Sequence, residues 1–404
     1  MQQALSGIRV LDITQVMAGP YCTMLLCDMG ADVVKIESPT GDSTRRMAGS
    51  LGEDSPAFNA VNRGKRSLVV DIKKERGQEL VKRLAGTADV LVENFRPGVM
   101  KRCGLDYAAL SNLNPRLIYA SISGYGQTGP YCAKGGFDLV AQGMSGIMSV
   151  TGEEGRPPVK SGIPVTDLGA GLLALSAILA ALIYRNKTGV GQYIDTSLLE
   201  AGIALSVWEA TEYLSTGVAP KPLGSAHRMS APYQALQCSD GYVTVGAAND
   251  GLFQVLCNVL GHPDWINDPR FEDDSARVKN HLELAQCIEA VTLGETKSYW
   301  LDKFEKNGIP SGPINSYSES LSDEHILNRD MVVETQHPTL GTIKTLGAPV
   351  KMSKTPFRTG RPAPVLGQDT ESVLQEAGYR SDEVAELRKD KVVRLAAKCR
   401  NYRR

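Results

Sequence analysis

The first half of the chain alternates short β-branched runs with segments of helical period, and no other feature constrains the fold as much. Candidate strands cover residues 8–13, 33–37, 67–71, 90–93, 117–123 and 193–196, and candidate helices cover 21–29, 74–85, 107–112, 138–145, 167–185 and 197–214. Strand and helix in alternation predict an α/β fold, a doubly wound parallel sheet with helices on both faces. The turn after the first strand reads Thr14-Gln15-Val16-Met17-Ala18-Gly19-Pro20. It lacks the G-x-G-x-x-G pattern that lets a dinucleotide approach the backbone, so NAD and FAD are disfavoured.

A chain of 404 residues is long enough for a large domain and a smaller one. Residues 215–230 are rich in Gly, Pro and Ser, as expected of a linker or mobile loop. A hairpin pattern follows, with strands at 233–237 and 242–245 about Ser239-Asp240-Gly241, and then helices near 252–260, 280–291 and 297–306. These signals divide the chain into the first part of a large domain (1–214), a small domain with its linkers (215–332) and a C-terminal segment (333–404). That segment carries two short strand candidates, a Pro-rich stretch at 349–364 and helices at 370–377 and 381–395.

With 42% hydrophobic and 22% charged residues and a formal net charge of -1, composition points to no disorder, membrane or nucleic-acid partner. The cysteines are scattered without a CxxC pair and read as reduced, mostly buried thiols. Gln2, Gln3, Ser6 and Arg9 interrupt any apolar leader, so a cytoplasmic location is expected. The uncharged stretch 168–184 falls short of the roughly 20 residues that span a bilayer and reads as a buried helix. The five histidines show no HExxH or i, i+4 spacing, and neither a GxSxG elbow nor a P-loop occurs, so no metal is expected and the chemistry must rest on carboxylates.

Asp167 stands between a loop and an apolar helix, which suits an N-cap and also a nucleophile that the helix start keeps ionised, two roles that do not exclude each other. The glycines of Leu168-Gly169-Ala170-Gly171 either admit a bulky thioester or pack closely on another helix. The loop Ser123-Gly124-Tyr125-Gly126-Gln127-Thr128-Gly129-Pro130 follows a candidate strand at the edge where open sheets bind ligands, and Lys134-Gly135-Gly136-Phe137-Asp138 lies just beyond it. Arg63-Gly64-Lys65-Arg66 with Lys73, Lys74, Arg96, Lys101 and Arg102 offers cations for a polyanionic cofactor such as CoA, or ordinary solvated charge.

Ordered blocks along nearly the whole chain resemble the family III CoA-transferases. They are Val10-Leu11-Asp12 with Ala18-Gly19-Pro20, Gly30-Ala31-Asp32-Val33-Val34-Lys35-Ile36-Glu37, Asn62-Arg63-Gly64-Lys65-Arg66-Ser67, Val92-Glu93-Asn94-Phe95-Arg96-Pro97-Gly98, Ser123-Gly124-Tyr125-Gly126, Lys187-Thr188-Gly189 and Gly312-Pro313. The resemblance implies a Rossmann-like large domain built from both chain ends, a smaller α+β domain, and two subunits interlocked as a homodimer. It implies Asp167 as the nucleophile, and acyl-CoA and a small carboxylic acid as substrates, with no permanently bound cofactor. It further implies that CoA lies along Met17, Ala18, Val70, Ile72, Lys73, Asn94, Phe95, Arg96 and Arg102, covered by Lys134 and Phe137, with Asp138 near the reacting centre.

A mobile loop shields the intermediate in the family; residues 223–232 take its place here, with Gly224 their one glycine. Gln15, Met17 and Ser38 replace the His, Gln and Arg of formyl-CoA transferases, which argues against formyl-CoA:oxalate chemistry. The alternative is an α-methylacyl-CoA racemase. That class needs a His ahead of an Asp for its proton relay, and Phe137 stands there. Arg45 and Arg46 either pair with the second carboxylate of a dicarboxylate or are solvated.

Overall fold

The computed structural model describes residues 3–47, 49 and 54–396. By contacts the chain divides into two compact units, Met1–Ile147 with Lys160–Thr211 and Glu324–Arg404, and Met148–Val159 with Glu212–Asp323. The second unit thus takes in residues 148–159, which the sequence boundaries left in the first part, because the Gly224 N–H donates to the Gly152 carbonyl at 2.7 Å and Lys221 pairs with Glu154.

The first unit is built on six parallel strands, β1 (Arg9–Ile13), β2 (Asp32–Glu37), β3 (Arg66–Val70), β4 (Val90–Glu93), β5 (Ile118–Ser123) and β6 (Tyr193–Ser197). Their apolar runs are nearly continuous because both faces are covered. Along β1 and β4, Val10, Val90 and Val92 face one helix layer, and Leu11, Ile13 and Leu91 face the other. The first layer holds helices Ala18–Asp28 and Val165–Thr188, and the second holds Glu75–Ala85.

The long helix Val165–Thr188 has 24 residues, so the apolar segment exceeds its expected length and is long and apolar enough to cross a membrane. It packs as a core helix: Ala170, Ala174 and Ile178 are 0% exposed, and buried Arg185 pairs with Asp89 at 2.8 Å. The helix expected over 197–214 is broken into Leu198–Leu205 and Val207–Thr216. At the break the Ser206 hydroxyl donates back to the Gly202 carbonyl at 3.0 Å, a bond that competes with the helix ladder.

The second unit carries an antiparallel sheet, β7 (Tyr233–Cys238), β8 (Gly241–Gly246) and β9 (Ser311–Pro313), packed with helices Asp250–Leu260, His281–Thr292 and Lys297–Lys306 around Phe253, Phe271, Trp300 and Phe304. Loop 223–232 is anchored at its end. Ala231 donates its N–H to Asp274, and its carbonyl accepts from wholly buried Arg277 at 2.8 Å. Further along, the His227 N–H donates to the Tyr233 carbonyl and Arg228 donates to the Lys221 carbonyl, so the loop is tied along its length.

The C-terminal segment re-enters the first unit with a hairpin, β10 (Val332–His337) and β11 (Gly341–Leu346), and a last strand, β12 (Val393–Arg394). The helix expected over 381–395 stops at Lys389. Lys391 turns the chain at φ 55°, and Val393 pairs antiparallel with Val70 to close the seven-stranded order β12-β3-β2-β1-β4-β5-β6. Among the described cysteines all seven are free; three are buried and four half-buried, fewer than expected, and Cys399 lies outside the described residues.

Candidate active site

The chain winds outward from β1 through β2 and β3 in one direction and through β4, β5 and β6 in the other, so the carboxyl ends of β1 and β4 flank the switch point where such sheets bind ligands. The turns leaving these two strands are stitched together. Asn94 accepts the Gln15 N–H and donates to the Gln15 carbonyl, both at 2.8 Å. Asn94 therefore acts by bracing the turn that leads to Met17 and Ala18. Glu93 beneath it accepts the Phe95 N–H at 2.8 Å, and burial pushes its carboxyl up to about 7.

The other expected contact residues end on the same edge, with different exposures. Ala18 and Val70 are buried, so their side chains are core packing. Ile72 and Phe95 are half-buried against the core. Lys73, Arg96, Arg102 and Lys134 are exposed, and Phe137 is 71% exposed. Loop 123–130 meets loop 134–137 so closely that a Cβ on Gly124 would lie 2.7 Å from the Gly136 Cα, and the Arg96 guanidinium lies over Gly135. Glycine is required there by close approach of backbone to backbone.

The structure also sorts the cations. Arg63 is spent on Asp28, Lys65 on Asp12, Arg66 on Asp32 and Glu376, and Lys74 on the carbonyls of Asp390 and Lys391. Lys73, Arg96, Lys101 and Arg102 have no ion pair among the described residues. Arg45 is likewise consumed: it is buried, bidentate on Glu37, paired with Asp54 and stacked on Phe58 at 3.6 Å. It is therefore held inside the fold by two carboxylates, whereas Arg46 is exposed and, among the described residues, donates to the Thr40 carbonyl.

Asp167 lies in the first turn of the long helix, two residues inside its start, and the cap position is Pro164. The N–H groups that an N-cap would satisfy go instead to Asp138. Its Oδ1 accepts the Thr166 N–H at 2.9 Å and the Thr166 hydroxyl at 2.7 Å, and its Oδ2 accepts from Gln142 at 2.7 Å. Among the described residues the Asp167 carboxylate accepts no hydrogen bond. Burial, and then the negative charge of Asp138, push it up to about 7. The expectation that the helix start keeps it ionised is corrected: burial and the like charge of Asp138 outweigh the helix start and raise it.

The helix glycines are there for packing. A Cβ on Gly171 would lie 2.7 Å from the Ala18 carbonyl oxygen, and one on Gly169 would lie 2.6 Å from Leu205. Asp167 lies one turn before Gly171, on the helix face that packs on the first helix. Sequence reasoning missed Thr166 and Gln142, the partners that hold Asp138. The i, i+4 spacing of Asp138 and Gln142 was the available signal.

Residues 5–370 match the family described as CoA-transferase family III. The chain belongs to this family. The transferase is 42% identical over 383 residues to succinyl-CoA:glutarate CoA-transferase of Mus musculus, covering 94% of this chain and 88% of that protein. It is 42% identical over 380 residues to succinate–glutarate CoA-transferase of Agrobacterium fabrum, covering 92% and 95%. Its fold superposes on the crystal structure of a CAIB/BAIF family protein from Brucella suis with a TM-score of 0.84 at 38% identity, covering 93% of this chain and 100% of that one. The protein is thus an acyl-CoA:carboxylate CoA-transferase, with acyl-CoA as substrate.

Proposed function

We propose that the transferase moves CoA from succinyl-CoA to a short dicarboxylate such as glutarate, with Asp167 as the covalent carrier. The observation that carries this reading is a half-buried, unbonded carboxylate beside Asp138 at the ligand edge of the sheet. The names of the similar enzymes support the dicarboxylate class.

In its ionised form an Asp167 oxygen attacks the thioester carbonyl of the donor. A C–O bond forms, the C–S bond breaks, and CoA leaves as thiolate from an acyl-aspartyl anhydride. The thiolate attacks the aspartyl carbonyl, forming aspartyl-CoA thioester and releasing succinate. The incoming carboxylate attacks that thioester, gives a new anhydride and frees CoA thiolate. Attack of the thiolate on the acceptor acyl carbon completes the new acyl-CoA and restores Asp167. One thioester replaces another, so the exchange needs no external energy source. Lys73, Arg96, Lys101 and Arg102 are the cations for the CoA phosphates, and Arg46 is the exposed cation for a second carboxylate.

A homodimer is part of the reading. The outer face of the long helix exposes Leu172, Leu173, Ile183 and Tyr184, and the helices after β6 expose Ile203 and Trp208, an apolar area that a second subunit would cover.

Asp167→Ala should retain CoA binding and lose turnover by at least about 10⁴-fold, since no adjacent side chain can carry the acyl group. Hydroxylamine added to wild type with succinyl-CoA should convert Asp167 to a hydroxamate that is visible by mass spectrometry. Transferase activity surviving in Asp167→Ala, with no adduct at 167 in wild type, defeats the mechanism.

A further inference from the structure

The turn of residues 14–17, between β1 and the first helix, is tied by side chains from other elements. Buried Asp12 accepts the Thr14 N–H at 2.9 Å, and buried Lys35 donates to the Thr14 carbonyl at 2.9 Å. Asn94 holds both backbone groups of Gln15. Asp42 Oδ1 accepts the Val16 N–H at 3.4 Å, while Asp42 Oδ2 lies 3.1 Å from Lys35 Nζ. Lys65 completes the group, donating to Asp12 at 2.8 Å, to Asn62 and to the Pro20 carbonyl.

These ties hold an unfavourable conformation. Val16 has φ 69°, and a β-branched residue in the left-handed region is held there by its surroundings. Burying Asp12, Lys35, Asp42 and Lys65 together is no economical way to stabilise a turn, because well-packed apolar side chains do as well without desolvating charge. What the charges provide is geometry: directed bonds to the Thr14 N–H and carbonyl and to the Val16 N–H.

We propose that Lys35 and Asp42 are positioning residues for the acyl-CoA site, holding Val16 left-handed and thereby presenting the backbone of Met17 and Ala18 to the ligand. This rests on the acyl-CoA site proposed above.

Two substitutions remove the hold. Asp42→Ala deletes the acceptor of the Val16 N–H. Val16→Pro, at a position 39% exposed and so tolerant in folding, fixes φ near -65° and deletes that N–H. Hydrogen exchange reads the turn without ligand in Asp42→Ala, and calorimetric titration with CoA reads the site in both variants. Asp42→Ala should exchange faster over residues 14–21, and each variant should raise the CoA Kd about tenfold. Adding Val16→Gly to Asp42→Ala should recover at least about threefold of the affinity, because glycine takes positive φ unaided.

Unchanged CoA affinity in Val16→Pro overturns the inference, as does a loss in Asp42→Ala that Val16→Gly does not reduce. Wild type that fails to bind CoA overturns the site and this inference together. Normal binding in wild type and both variants overturns this inference alone. Should Asp42→Ala not fold, Val16→Pro decides.

Discussion

At the residue scale the site depends on two carboxylates with different partners. Asp138 takes the backbone N–H groups of the helix start, and Asp167 is left with burial and a like charge, which push it up to about 7. In the proposed mechanism Asp167 must be ionised to attack, so transferase kcat/KM should rise with pH and level off above about 7. Asp138→Asn keeps the acceptor for Thr166 and removes the charge, and should move that limb to lower pH. The limb staying in place would remove Asp138 from the control of Asp167.

The stability effect has the opposite sign from a salt-bridged carboxylate. The folded Asp167 is raised above its value of 3.8, so its ionisation disfavours folding, and the penalty grows between about pH 4 and 7 and is complete above that. Asp167→Asn should therefore be more stable than wild type at pH 8, by about 1–3 kcal/mol, and equal to it near pH 3. Urea unfolding at the two pH values measures the difference.

At the element scale, the placement of Asp167 depends on how closely the long helix approaches the first helix. Gly171 sets that distance against the Ala18 carbonyl. Gly171→Ala must move one helix by several tenths of an ångström or more, and should destabilise the protein by about 1–3 kcal/mol. It should also lower kcat with a smaller change in CoA affinity, since the shift displaces Asp167 relative to the turn below it. Thermal unfolding with steady-state kinetics tests both. A variant of normal kcat would show that the contact serves stability alone.

At the scale of the whole molecule, the proposed homodimer would cover the apolar outer face of the long helix, where Leu172, Leu173, Ile183 and Tyr184 are exposed. Interlocked subunits cannot part without unfolding, so sedimentation at nanomolar concentration should show a dimer. Ile183→Asp on that face should yield aggregated or unfolded protein rather than a folded monomer. A folded monomer on dilution of wild type would contradict the interlocked arrangement.

The sheet was legible in the sequence because a parallel strand covered on both faces leaves an unbroken apolar run, as in Val33-Val34 of β2 and Val90-Leu91-Val92 of β4. The family was legible through its ordered blocks. The partners of each charge were not legible. Arg45, Lys65 and Asp12 look like surface residues in a linear reading and are buried in pairs contributed by other strands. Nor could local propensity show that residues 390–394 leave a helix to pair with β3, because that choice belongs to an open sheet edge over 300 residues away. Sequence by itself determined the parallel strands and the family, since strand pattern and the ordered blocks are read directly along the chain. Tertiary structure alone decided which cations stay free, which glycines are spacers and how readily Asp167 ionises, because each depends on groups brought together from distant parts of the chain.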